Sequence, residues 1–183
     1  MQGDDGFTVE DWLARPDDGL RYELIDGSMI VSPPPVPRHQ RVVNRLMEQM
    51  RPALPHGLPL DHTGAGVAPS DRGAHQALVP DIVVTTWPLA GARPANLLPE
   101  DVVLAVEVVS SSSWRRDHND KPEILASWGI EHYWIVDLSP QPRATVLRLE
   151  RGRYVEVVSA SPPDAIDVTE PFAVRLDLAA VFE

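Results

Sequence analysis

Apolar residues recur along the chain at two spacings, and each change of spacing marks a change of element. Within residues 38–50, Val43, Leu46, Met47 and Met50 repeat at intervals of three and four, which predicts an amphipathic helix with arginines interleaved. Pro52 and Pro55 end it. Residues 102–109, VVLAVEVV, are apolar at every position but one, the pattern of a strand buried on both faces. A third strong strand follows at HYWIVDL, residues 132–138, after a strand at residues 78–86 entered through Val79, Pro80 and Asp81. Between the last two strands, residues 119–128 read as a helix, with Pro122 tolerated in its first turn and Gly129 at its end. Strand, helix and strand in this order predict a right-handed parallel βαβ unit.

The flanking segments are shorter. Thr8, with Asp11 three residues on, predicts the capped start of a helix over residues 8–15. Asp26-Gly27 between apolar runs predicts a hairpin of residues 22–25 and 28–31. SPPPVP reads as an extended connector, residues 58–68 as two short strands, and residues 87–100 as a Pro-rich loop. A second hairpin, residues 144–149 and 154–159, turns at Arg151-Gly152, and a short helix at 177–182 closes the chain. We expect one domain over residues 1–183, with a core of about 8–138 and a C-terminal β-hairpin and helix at about 139–183. The fold class is α/β, a mixed sheet flanked by helices.

Composition narrows the chemistry. Hydrophobic residues make up 43% of the chain, so it is globular rather than disordered. It has no apolar run long enough to span a membrane, and the acidic start MQGDDGFTVEDW lacks an apolar leader core. Cysteine is absent, which excludes disulfides, thiolate catalysis and thiolate metal sites; a cytoplasmic location is the expectation. A net charge of −11 opposes non-specific binding to nucleic acid. Of the basic residues fifteen are arginine and one, Lys121, is lysine. A compositional bias towards arginine accounts for the fifteen. A position that needs a compact, proton-transferring ammonium accounts for the exception.

Glu107 is the polar exception in its apolar strand. A lone buried carboxylate costs several kcal/mol, so Glu107 must face a partner. That partner is a cation or, in a purely structural role, an arginine. Asp81 poses a similar question at the edge of another strand, although a lone Asp after Pro more often opens a strand by bonding backbone amides. Two carboxylates held close together demand a positive charge. Lys121 supplies one, and Mg²⁺, which takes one or two carboxylates and keeps its waters, would supply more.

A Pro-Asp pair, a Glu in a buried strand some 26 residues on and a nearby lysine together resemble the PD-(D/E)xK nuclease superfamily. The usual lysine position, two residues after the Glu, is Val109 here. RYELIDG, SPPPVPRHQRVV, VPDIVV, VEVVSSSSWRRDHNDKP and GIEHYWIVD, in that order, are similar to the Uma-two family of restriction-endonuclease-like proteins, in which the lysine is displaced onto the helix after the Glu strand. Leu125 stands where such proteins often have Tyr. The resemblance implies a restriction-endonuclease-like fold and Mg²⁺-dependent hydrolysis of phosphodiesters, with Mn²⁺ as an alternative ion and DNA more expected than RNA. It implies Asp81, Glu107, Glu23 and the backbone carbonyl of Val108 as metal ligands, with Lys121 holding or deprotonating the attacking water. It also implies a homodimer; no membrane partner is expected, from the lack of a long apolar run.

Other readings stay open. Glu23 also reads as an outward hairpin residue, and Asp137 as a turn residue ending its strand. Arg38, His39, Arg41 and Arg45 on one helix, with Arg115 and Arg116, are candidate nucleic-acid contacts; as isolated residues they read as solvated charge, and His39 as the start of the helix. Ser110–Ser113 beside Asp117 and His118 lack a nucleophile elbow, so no hydrolase triad is assigned. The six histidines lack a zinc-binding spacing. The alternatives to a nuclease are a non-catalytic binding or scaffold module on the same fold, and a hydrolase of a smaller phosphorylated substrate, which needs little basic surface.

Overall fold

Residues 6–16, 18–62, 64–86 and 96–183 are described by the computed structural model. Helix α1 (Val9–Leu13) starts at Thr8, whose hydroxyl accepts from the Asp11 amide while the Asp11 carboxylate accepts from the Thr8 amide. The capping pattern thus sets the start of the helix. A hairpin of β1 (Arg21–Ile25) and β2 (Ser28–Ser32) follows, turning through Asp26 and Gly27, both at positive φ. This is the two-residue turn that Asp-Gly favours. Trp12 on α1 donates from Nε1 to the Tyr22 carbonyl at 2.8 Å, and it packs with Val9, Leu24, Ala68, Ala77 and Val79. Gly66 passes so close to the Trp12 ring that a Cβ there would overlap it. This small cluster fixes the hairpin against the rest of the molecule.

Helix α2 (Pro37–Met50) runs to a 3₁₀ turn at Arg51–Ala53. The main sheet is formed, in spatial order, by β3 (Leu60–Asp61), β4 (Ile82–Thr85), β5 (Val102–Val109), β6 (His132–Asp137), β7 (Arg143–Glu150) and β8 (Arg153–Ala160). The β5–β6 pair is parallel, and the other pairs are antiparallel. Helix α3 (Lys121–Ser127) connects the parallel pair, preceded by a π-helical turn at Arg116–Asp120. A second small hairpin, β9 (Ala165–Val168) and β10 (Val174–Asp177), leads to α4 (Leu178–Phe182).

The sheet is covered on both sides. Leu104, Val106 and Val108 of β5, with Trp134 and Val136 of β6, pack against Val42, Val43, Leu46 and Met50 of α2 and against β9, β10 and α4. Ala105, Val109, Tyr133 and Ile135 face Ile124 and Leu125 of α3, Ile130, and Ile25 of β1. No helix among the described residues is long and apolar enough to cross a membrane.

Three elements differ from the sequence reading. The strand expected from residue 78 begins at Ile82, because Pro80 has no amide to donate; Leu78 instead makes an isolated bridge to Val67. The second strand expected within residues 58–68 is reduced to that bridge, where Gly66 diverts the backbone past Trp12. The expected helix over 119–128 starts at Lys121, and a π turn replaces its first part. Of the expected loop over 87–100, residues 87–95 lie outside the described residues.

Candidate active site

Glu107 lies near the C-terminal end of β5, on the face opposite Val106 and Val108. Its Oε1 is 2.8 Å from Nζ of Lys121, the first residue of α3. The same ammonium lies 3.0 Å from Glu23 Oε1 and 2.9 Å from Asp117 Oδ1. A four-residue spacing on the helical turn brings Asp117 to the same side as Lys121. The Tyr133 hydroxyl, donating to the Asp117 carbonyl at 2.9 Å, ties that turn to β6. Glu23 is held by a second bond, from the Val79 amide at 3.0 Å.

Asp81 stands immediately before the first residue of β4. Ile82 pairs with Val106, so the next amide of β5 on that side, Val108, has no backbone partner in β4. Asp81 Oδ2 accepts from it at 2.7 Å and lies 3.1 Å from His39 Nε2. Arg21 closes the circle. It shares a face of β1 with Glu23; its Nη1 is 2.5 Å from Asp81 Oδ1, and its Nη2 is 3.4 Å from Glu107 Oε2 and 3.6 Å from Glu23 Oε1. Nη2 also donates to the Val79 carbonyl.

Burial and mutual charge set the protonation of this cluster. Burial works against a charged Lys121, but Glu107, Glu23 and Asp117 outweigh it and hold the ammonium well above its ordinary pKa. Burial likewise opposes the charge on Asp81, yet the bond to His39 and the Arg21 guanidinium keep its carboxyl below the usual range. Glu23 is lowered too, by Lys121 and Arg21 acting against burial. Glu107 goes the other way. Burial, with Asp81 and Asp117 adding, pushes it up against the pull of Lys121 and Arg21. Glu107 thus shifts in the opposite direction to Asp81 and Glu23.

The structure thus brings Asp81, Glu107, Glu23, Lys121 and the backbone of Val108 together, with Glu23 turned inward and 2% exposed rather than outward. His39 also turns inward to Asp81 and is buried, which sets it apart from the other candidate nucleic-acid contacts. Arg38 and Arg41 are exposed and Arg45 half-buried on α2; Arg115 is exposed and Arg116 half-buried on the turn before α3. Asp137 is not a free turn residue, since its Oδ1 lies 2.8 Å from Nε2 of His118, and the His118 ring stacks on Trp114. Arg21 and Asp117 are the members that the sequence reading missed. Each carries a positional signal, Arg21 two residues before Glu23 on a strand and Asp117 four before Lys121.

Four carboxyl groups outnumber the two permanent cations, and all the carboxyl donors are hard oxygens, a set suited to a divalent ion such as Mg²⁺. In the present arrangement, however, no three His, Asp or Glu side chains among the described residues are disposed to hold a metal together. Lys121 and Arg21 stand between them.

A buried carboxylate–lysine cluster at the end of the central strands of a mixed sheet defines a nuclease-like α/β domain. The Uma2 family, described as "Putative restriction endonuclease", matches residues 9–180, and the chain belongs to that family. Among solved structures it is similar to a crystal structure of a "putative nuclease belonging to DUF820" from Anabaena variabilis, at 19% identity and a TM-score of 0.73, covering 96% of this chain and 97% of the other. That likeness extends the agreement in fold to nearly the whole chain. No curated protein matches in sequence.

Proposed function

We propose that this single-domain protein is a metal-dependent nuclease that hydrolyses phosphodiester bonds in nucleic acid, with DNA as its substrate. The observation that carries this reading is the buried Lys121 ammonium, shared by Glu107, Glu23 and Asp117 and set across from Asp81. Stability alone explains such a network poorly, since apolar residues of similar volume often serve as well or better. Asp81 and Glu107 would hold Mg²⁺ or Mn²⁺, assisted by Glu23 and by the Val108 carbonyl, which in an extended strand points to the same side as its amide. The metal supplies charge stabilisation and a more acidic water. Lys121 would orient the attacking water and offset charge on the phosphorus as it becomes pentavalent. Arg38, Arg41, Arg45, Arg115 and Arg116 contact phosphates. The family description supports DNA over RNA.

Incubation with plasmid, single-stranded DNA and RNA in Mg²⁺, Mn²⁺ or EDTA tests this reading. Metal-dependent cleavage is expected; cleavage that persists in EDTA overturns the metal mechanism, and no cleavage of any polynucleotide returns the site to a binding module or a small-phosphate hydrolase. The reading extends to a cytoplasmic homodimer. β8 ends the main sheet, with Val155 and Val157 exposed, which supports self-association, and light scattering showing a monomer at high concentration removes it.

A further inference from the structure

We propose that Arg21 is a tethered cation that closes the metal site, and that a divalent ion binds only when this side chain withdraws. The inference rests on the reading of Asp81 and Glu107 as metal ligands. Arg21 meets Asp81 at Oδ1 and faces Glu107 at Oε2, while Asp81 Oδ2 is taken by the Val108 amide and His39, and Glu107 Oε1 by Lys121. One oxygen of each carboxylate is thus free of these other partners, and the guanidinium lies against both. A metal shared by Asp81 and Glu107 needs those two oxygens. Its place and that of the Arg21 fork overlap.

The two cations of the cluster differ in freedom. The Lys121 side chain is 2% exposed and surrounded by carboxylates; that of Arg21 is 28% exposed and stems from the first residue of β1. Arg21 can leave by rotating its side chain towards solvent, giving up its bond to the Val79 carbonyl. Replacing one positive charge by two also brings the cluster nearer neutrality, so the exchange favours the metal electrostatically. Its cost is the fraction of molecules in which Arg21 is out, since apparent affinity falls by that fraction. After withdrawal the guanidinium stays at the mouth, in place to meet an incoming phosphate, which would hold the site open.

Mn²⁺ titration by calorimetry and by electron paramagnetic resonance of the parent, Arg21→Gln and Arg21→Lys tests this, with melts in EDTA and in Mn²⁺. Removing the tethered charge should tighten Mn²⁺ binding about ten-fold or more. Arg21→Lys, which keeps the charge but not the fork that reaches both carboxylates, should fall between. Arg21→Gln should melt lower in EDTA and gain more from Mn²⁺ than the parent does. Adding Asp81→Asn should abolish the gained affinity. Equal or weaker binding in the variants, or a gain that survives Asp81→Asn, overturns the proposal. If Arg21→Gln does not fold without metal, Arg21→Lys decides. Absence of binding in every protein up to millimolar Mn²⁺ overturns the metal reading as well; binding by the parent with no gain in the variants overturns only the role of Arg21.

Discussion

The two faces of β5 are made by alternate residues of one strand and solve different problems. Leu104, Val106 and Val108 meet apolar neighbours from α2 and α4, where each buried side chain contributes about 1.5–3 kcal/mol and any well-fitting apolar partner serves. On the other face Ala105 and Val109 flank Glu107, which is 2% exposed. Unpaired, that carboxylate would cost several kcal/mol, so it dictates where Lys121 and Arg21 must lie. The apolar face is permissive about partners and generous in stability. The charged face contributes little net stability but fixes β1, α3 and the turn before α3 to within hydrogen-bond distance. A site that needs precision is built on the second kind of face.

The largest expected effect comes from taking the cation out of the charged face. Lys121→Met leaves Glu107, Glu23 and Asp117 buried around an apolar stem and should cost roughly 3–5 kcal/mol in denaturant melts, with nuclease activity lost. Leu104→Ala on the opposite face should cost about 3 kcal/mol through lost burial and a cavity. The two differ in response to metal: Mg²⁺ should change the stability deficit of Lys121→Met and leave that of Leu104→Ala as it is. If both deficits respond alike, the faces are not independent.

Glu107→Gln should be milder than either. Lys121 keeps Glu23 and Asp117, and Arg21 keeps Asp81, so neither cation is stranded. Without metal its stability should lie within about 1 kcal/mol of the parent. The gain from Mg²⁺ and the activity should disappear. A Glu107→Gln protein that melts far lower in EDTA would show that Glu107 holds the fold rather than a metal.

The smallest effect concerns pH. His132 shares the apolar face of β6 with Trp134 and Val136, and burial lowers its pKa against the pull of Glu131 and Glu170. Its folded pKa lies below the unfolded one, so the stability it confers is present above the ordinary histidine value and declines as pH falls through it. His132→Asn should flatten that decline in melts between pH 7.5 and 5.5, values on either side of about 6.5. An unchanged slope would place the dependence elsewhere.

The elements that proved most legible in the sequence were those whose local chemistry and burial agree. The near-continuous apolar run of β5, the Asp-Gly hairpin, the capping box at Thr8 and the strand–helix–strand order all reappear in the structure. The β9–β10 hairpin escaped because its four-residue strands are too short for a period of two to stand out. Asp81, Glu107 and Lys121 drew attention because each is anomalous where it stands. Arg21 and Asp117 look ordinary in sequence, an arginine among fifteen and an aspartate in a polar turn. Spacing marks which side of its element each takes, two residues from Glu23 and four from Lys121, but which segments meet there depends on contacts up to 86 residues apart, as in the Arg21–Glu107 pair.

The bond from the Val108 amide to Asp81 makes the last rung between β4 and β5 a side chain rather than a peptide carbonyl. A rung of that kind acts as a length gauge. One methylene sets how far the carboxylate reaches, so Glu at position 81 would overshoot the amide or push the strands apart. The oxygen that measures this gap also faces His39, and its twin faces Arg21, so strand spacing and site geometry are one adjustable dimension instead of two. The rung lies at the end of the pair opposite Thr85 and Val102, so the gap at the site is set locally, by one side chain.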